Sequence, residues 1–208
     1  MNPVRPCGLA LAGIVTLFVQ VSISVTVFAA EGGSMGGGGG KGVLCGEKLE
    51  ALDLYEAREV LHLKEAPRKS NLEEELNFAS DQLYQILFEE EKADGFEPHP
   101  ALKKMKWMSP WILTQIKFTE KVLPFTDDAT LPMLPQDCKF VQIAVFSRQP
   151  FYVKINPYLW SKLDTRNQAA ILAHEQYFFG MNVFKDYGAK LNSDRTRRLI
   201  SKAFSVRK

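Results

Sequence analysis

The spacing of apolar side chains predicts helices in the first half of the folded chain. Between residues 47 and 63 the apolar positions recur every three or four residues, which is the period of an amphipathic helix. An S-x-x-E capping box at Ser70 and Glu73 predicts that a second helix begins there and continues to about Lys92. A short third helix is predicted between residues 100 and 108.

The pattern then changes to one that is typical of strands. Residues 111–119, 138–146 and 151–156 are rich in β-branched and aromatic side chains, and they alternate in part between apolar and polar positions. Only the short turn at residues 147–150 separates the last two segments. These two segments are therefore predicted to form an antiparallel hairpin.

Two helices are predicted after the hairpin. Asp164 caps a long helix from Thr165 to about Tyr187, and Asn192 or Ser193 caps a final helix to Phe204. The predicted order is a helical N-terminal half, a small antiparallel sheet with a β-hairpin, and two C-terminal helices. This order is typical of an α+β fold.

The N-terminus has the pattern of a secretory signal peptide. A positive charge at Arg5 precedes an apolar run, and small residues near Ala29 offer a cleavage site, so residues 1–29 are predicted to be removed. The alternative is an uncleaved membrane anchor, because the apolar run is just long enough to span a bilayer. Residues 30–42 are mostly glycine and are predicted to be a flexible linker. Residues 43–208 then form a single globular domain.

Removal of the leader leaves two cysteines, Cys45 and Cys138. In an oxidising compartment they are predicted to form a disulfide, which would stabilise the fold by about 4 to 5 kcal/mol in the chain-entropy model. The alternative is a pair of buried free thiols. The sequence lacks a Cys-x-x-Cys motif and a Cys/His cluster, so we expect no metal site and no cofactor.

The candidate chemistry lies in the segment AAILAHEQYFFG, residues 169–180 of the long helix. A zinc-peptidase helix reads His-Glu-x-x-His, because imidazoles four residues apart bind the metal together while the glutamate activates a water. Here Phe178 follows His174 at that spacing. One hypothesis is a secreted hydrolase resembling a reduced zinc peptidase, with Glu175 as base and His174 as ligand or acid. His174, Glu175 and Tyr177 are its candidate catalytic residues.

The other hypothesis gives the same residues a structural role. The helix is apolar nearly all round, so Glu175 is predicted to be buried, and a buried carboxylate needs a charged partner. Arg197 is predicted to lie on the inner face of the last helix, so an ion pair between Glu175 and Arg197, or failing that Arg198, is expected. His174 and Tyr177 would supply neighbouring hydrogen bonds.

Several short motifs resemble a group of secreted Gram-negative bacterial proteins of unknown function. They are the leader and glycine-rich stretch, LDLYEAR at residues 52–58, a cysteine before a β-hairpin, AAILAHEQY at residues 169–177 and SDRTRRLI at residues 193–200. In that group a tyrosine follows His-Glu on the helix, and Tyr177, three positions after His174, corresponds to it. The resemblance implies no established activity, but it indicates that Phe178 need not replace a lost histidine.

The charge distribution gives the last functional signal. The net charge is +2, but the charged side chains of residues 47–94 are mainly acidic and those of residues 185–208 are mainly basic. The two segments are expected to attract each other across the fold, and the alternative partner of the basic segment is an anionic envelope surface or an acidic protein. No motif predicts nucleic-acid binding.

The sequence therefore predicts a secreted or periplasmic protein of unknown activity, without a stable membrane span after cleavage. Its favoured role is a non-enzymatic binding or structural domain.

Overall fold

The computed structural model describes residues 40–95, 109–126, 130–148, 151–183 and 193–206. The predicted leader and the predicted helix at residues 100–108 lie outside these ranges. The elements confirm an α+β fold. In chain order they are β1 (Lys41–Cys45), β2 (Lys48–Ala51), α1 (Leu52–Glu59), α2 (Leu72–Ala93), α3 (residues 109–114), β3 (Ile116–Phe118), β4 (Cys138–Gln142), β5 (Ala144–Arg148), β6 (Phe151–Ile155), α4 (Pro157–Trp160), α5 (Thr165–Val183) and α6 (Ser193–Ala203).

The strands form two three-stranded sheets, whereas the sequence predicted one. One sheet has the order β2-β1-β4 and is antiparallel, and the other has the order β3-β6-β5. The predicted hairpin is confirmed as β5 and β6, and β3 pairs with β6 in parallel. The predicted strand at residues 138–146 divides at Ile143, because the amides of Ile143 and Ala144 both donate to the carbonyl of Gly40. β4 and β5 thus enter different sheets.

The predicted helix at residues 47–63 is wrong at both ends, because the helix covers only Leu52–Glu59. Residues 48–51 form β2, which pairs with β1 through a turn at Gly46, where φ is +58°. Leu49 and Ala51 point inward on this strand, and α1 begins only at Leu52. Leu49 on β2 and Leu52 on α1 are both buried and lie three residues apart, so the strand–helix junction imitates the spacing of a continuous helix.

The other boundaries shift by smaller amounts. β1 begins at Lys41, so the predicted linker, residues 30–42, extends too far into the fold. The predicted strand at residues 111–119 is helical up to residue 114, and only Ile116–Phe118 is extended.

The helix caps follow local rules. Asn71, not Ser70, caps α2, since its side chain accepts a hydrogen bond from the Glu74 amide at 2.9 Å. The Glu74 side chain in turn accepts from the backbone and hydroxyl of Ser70. Asp164 caps α5 as predicted, because its Oδ1 accepts from the Asn167 amide at 2.8 Å.

The core forms around α5, which packs against α2, α6, α1, β2 and β5. The predicted disulfide is confirmed: Cys45 and Cys138 are directly opposite each other on β1 and β4. It ties the first described strand to the middle of the chain. Within the ranges described, none of the helices combines the length and the apolarity that crossing a membrane requires.

Candidate functional site

The His174–Glu175 pair lies in the middle of α5, where every residue from 169 to 180 is buried. His174 is 2% exposed and Glu175 is 0% exposed. A helix that is enclosed on all sides has no solvent-facing surface, so each polar side chain must find a partner inside the protein.

His174 pairs with an aspartate at the start of α1. Its Nδ1 lies 2.9 Å from Oδ1 of Asp53, and both side chains are buried. The backbone carbonyl of Asp53 also accepts a 2.6 Å hydrogen bond from the Ser201 hydroxyl on α6. Asp53 therefore connects three helices. The sequence analysis missed it, although a carboxylate between Leu52 and Leu54 was a signal that one polar group enters the core.

Glu175 bonds to the backbone at the start of β1. The amide of Gly40 donates a hydrogen bond to Oε1 of Glu175, and Oε2 makes no hydrogen bond within the described part of the chain. Burial raises the pKa of Glu175 to about 7, although His174, the Gly40 amide and Lys41 each act in the opposite direction. Asp53 adds to the rise. The carboxyl group is consequently protonated through much of the acidic range.

Gly40 is a packing position and not part of a tether. A Cβ at this residue would lie 2.6 Å from Cγ2 of Ile171 and 3.3 Å from Oε1 of Glu175. Its carbonyl accepts from the amides of Ile143 and Ala144, while its own amide donates to Glu175. Only glycine lets the backbone approach α5 this closely.

A polar network continues from Gly40 to the neighbouring strands. The ammonium of Lys41, which is 2% exposed, donates to the Thr126 hydroxyl at 2.8 Å and lies 4.8 Å from the centroid of the Phe125 ring. The Gln142 amide nitrogen donates to the Ala144 carbonyl at 2.7 Å. The Gln142 oxygen accepts from the Thr126 amide at 3.1 Å. This network satisfies polar groups that the two sheets enclose.

The predicted ion pair between Glu175 and Arg197 is wrong. The Arg197 guanidinium bonds to Glu56 on α1, with Nε 3.1 Å from Oε1 and 3.0 Å from Oε2. It also bonds to Asp194 at 2.5 Å and to Ser193 at 3.1 Å. The prediction that Arg197 is buried is confirmed, but α6 directs it to α1 and not to α5.

Glu56 is a second carboxylate that the sequence analysis missed. Burial raises its pKa to about 7, and the Arg197 charge and hydrogen bonds oppose the rise. Glu56 lies four residues after Leu52 and shares its buried face of α1, so the spacing did signal that a charged group enters the core. Its partner is 141 positions away along the chain, so no local pattern identified it.

Tyr177 is buried as predicted but has a different environment from the one expected. The side chain is 1% exposed, and burial raises the pKa of its hydroxyl well above the ordinary value. The charges that act on it belong to Arg195, Glu90 and Glu91 on α6 and α2. Its hydroxyl makes no hydrogen bond within the described residues, so the expected bond to Glu175 is absent there.

A fully buried ion pair anchors the start of α5. Arg166 is 0% exposed, and its Nε lies 3.1 Å from Oε1 of Glu75 on α2. The guanidinium also donates to the carbonyls of Ala66 and Pro67. Five donors in one planar group thus connect α5, α2 and the segment before α2.

The basic face of α6 meets the acidic end of α2. Nη2 of Arg195 lies 3.4 Å from Glu90, and Nζ of Lys202 lies 3.9 Å from the same carboxylate. All three side chains are more than 40% exposed, so these pairs contribute little to stability. They match the expected attraction between the acidic and basic segments.

Among the described residues, no group of three or more His, Cys, Asp or Glu side chains could hold a metal ion. His62 is exposed, and His99 lies outside the described ranges. Phe178 occupies the position of a second imidazole ligand, and its ring centroid is 6.5 Å from that of His174.

The described residues also form an open cleft of about 580 Å³. Its walls come from β2, α1, the segment before α2, the loop before α5 and the end of α6, whereas His174 and Glu175 lie inside the core. The cleft and the buried cluster are therefore separate features.

The resemblance to secreted Gram-negative bacterial proteins of unknown function remains a prediction. It concerns short motifs, and the buried cluster of His174, Asp53 and Glu175 joins two of them, residues 52–58 and 169–177. Comparison with known proteins gives no match to any family model, any curated protein or any solved structure.

Proposed function

We propose that this protein is an exported, non-enzymatic binding or structural domain in which the His174–Glu175 pair holds the fold together. One observation carries the proposal: both side chains are at most 2% exposed and bond to other parts of the same chain. His174 bonds to Asp53 on α1, and Glu175 bonds to the Gly40 amide before β1. A general base or metal ligand has to reach a substrate or an ion.

A secreted hydrolase is the second candidate, and the contact between His174 and Asp53 favours it. A carboxylate on Nδ1 fixes the tautomer and orientation of an imidazole, as it does for catalytic and zinc-bound histidines. The same contact also satisfies two buried polar groups in a structural cluster. The burial of Glu175 supports the structural function, because a general base has to contact its substrate.

The two functions predict different results for His174→Ala. In the structural function, the variant loses about 1 to 3 kcal/mol of unfolding free energy, because Asp53 is left buried with a lost hydrogen bond. Purified wild-type protein would contain no stoichiometric zinc and would not hydrolyse peptide or ester substrates. Urea unfolding, elemental analysis and turnover assays measure these three properties. Stoichiometric zinc that His174→Ala loses, with stability unchanged, would establish the hydrolase instead.

The export part of the proposal rests on the leader pattern and is compatible with the Cys45–Cys138 disulfide. Expression of the full chain in a Gram-negative host tests it. We expect the mass of the periplasmic or secreted product to match a chain that begins near residue 30. A product that keeps residues 1–29 and stays with membranes would support the anchor.

Under this proposal the basic C-terminal helix is the contact for an anionic envelope surface or an acidic protein. The pairs of Arg195 and Lys202 with Glu90 reduce the free charge on that face. Co-sedimentation with vesicles rich in phosphatidylglycerol, compared with neutral vesicles, tests the surface as partner. Equal binding to both vesicle types would remove the anionic surface as a partner.

A further inference from the structure

The cleft contains the edge of a β-sheet. β2 is the outer strand of its sheet, and the consecutive residues 47–50 line the cleft. The Ala51 amide points away from β1, because it donates to Oδ1 of Asn167 at 2.7 Å. In an antiparallel ladder the backbone groups of alternate residues face the same edge. The N–H and C=O of Leu49 therefore point toward the cleft.

The inner wall of the cleft is apolar. Leu49, Leu54, Ala57 and Phe204 form most of it and are all less than 10% exposed, and Leu63 lies at its margin. The volume of about 580 Å³ lies in the range of sites for small ligands. An apolar side chain bound against this wall would leave water, which favours binding.

The rim of the cleft is charged, with both signs present. Arg58 pairs with Glu50 at 2.6 Å, and Arg68 pairs with Asp164 at 2.7 Å. Glu65, also on the rim, pairs with Arg68 at 3.2 Å and with Arg166 at 3.0 Å. The other charged side chains that line the cleft are Glu47, Lys48 and Lys162. The rim therefore offers ammonium groups to an anionic end of a ligand and a carboxylate to a cationic end.

We propose that this cleft binds a short apolar peptide with free termini, extended beside β2 as an added strand. The inference rests on the binding function proposed above. A peptide backbone supplies a donor and an acceptor for Leu49, and an apolar side chain covers the inner wall. Its two termini match the mixed charges of the rim. A fatty acid has a carboxylate for Lys48 or Lys162 but no backbone groups, and it would place its charge near Glu47.

Calorimetric titration of the purified protein with trileucine tests the proposal. Binding should be detectable, and N-methylation of the central residue should weaken it roughly tenfold because a strand hydrogen bond is lost. Lys162→Glu should also weaken binding roughly tenfold, since it repels the peptide carboxylate. Lys139→Glu is the matched control, because Lys139 is an exposed lysine on β4 outside the cleft. Thermal unfolding confirms that both variants fold.

Three outcomes separate the inference from the proposed function. Absence of trileucine binding to the folded protein overturns the peptide ligand and leaves a non-enzymatic domain in place. Equal binding of octanoate and trileucine, with no effect of N-methylation, also overturns it, because the strand edge then contributes nothing. Mass spectrometry of the recovered peptide completes the test. A bound but cleaved peptide would support the cleft as a peptide site and refute the non-enzymatic function.

Discussion

Replacing Glu175 with glutamine measures the cost of ionising a carboxyl group inside this core. Burial raises the pKa of Glu175 from 4.5 to about 7, while His174 and Lys41 oppose the rise and Asp53 adds to it. An acid with a raised pKa keeps its proton longer in the folded state than in the unfolded state. Between pH 4.5 and about 7 the folded protein therefore binds more protons, and the free energy of unfolding falls as the pH rises.

The size of the effect follows from the shift. Each unit of pKa difference between the folded and unfolded states corresponds to about 1.4 kcal/mol, so Glu175 contributes on the order of 3 kcal/mol to the free energy of unfolding. This stabilisation is fully present below pH 4.5 and is lost as the pH rises through about 7. Glutamine carries no titrating proton, and its Oε1 still accepts from the Gly40 amide. Glu56, whose pKa is also raised, is present in both proteins and cancels in the comparison.

Urea unfolding at pH 5, 6, 7 and 8, followed by circular dichroism, measures the difference. Over this pH window the free energy of unfolding of the wild-type protein should fall by on the order of 3 kcal/mol more than that of Glu175→Gln. Glu120→Gln is the matched control, because it makes the same chemical change at an exposed position outside the core. Parallel pH profiles for wild type and Glu175→Gln would refute the reasoning, since the carboxyl group would then titrate alike in both states.

Three further changes test the packing around α5 and the disulfide. Gly40→Ala should lower the free energy of unfolding by about 1 to 3 kcal/mol in urea, because its Cβ would meet Ile171; an unchanged midpoint would contradict this close approach. Arg166→Met should cost about 3 to 5 kcal/mol, since it leaves Glu75 buried without its partner. Arg68→Met is the control, because Arg68 forms an exposed pair with Asp164. It should cost under about 1 kcal/mol in the same denaturation assay. Dithiothreitol should lower wild-type stability by about 2 to 5 kcal/mol and leave the Cys45→Ser, Cys138→Ser double variant unaffected.

Local signals identified the elements whose stability is decided within a few residues. The Asp164 cap, the long apolar run of α5 and the β5–β6 hairpin each have a short-range cause, and each is present. The capping box before α2 was placed one residue early, because Ser70 and Asn71 both offer a side-chain oxygen and Glu73 and Glu74 are both acidic. Such choices between adjacent residues depend on the packing of the helix.

The first hairpin shows where local reasoning failed. β1 is paired with β4, in which Cys138 lies 93 residues after Cys45. The predicted disulfide brought these two cysteines together but did not indicate that residues 41–45 form a strand. The glycines before β1 resembled a linker, because a glycine-rich sequence looks the same whether the segment is flexible or tightly packed. The contact of Gly40 with Ile171 and Glu175 distinguishes the two cases.

The sequence alone determined the order of most helices and strands, the disulfide, and the presence of His174, Glu175, Tyr177 and Arg197 on inward helix faces. It did so because side-chain periodicity reports which face of an element avoids water. The tertiary structure decided which buried polar groups meet. Glu175 bonds to a backbone amide, His174 bonds to Asp53, and Arg197 bonds to Glu56. The packing of the elements, which sequence spacing does not report, sets which side chains come within hydrogen-bond distance.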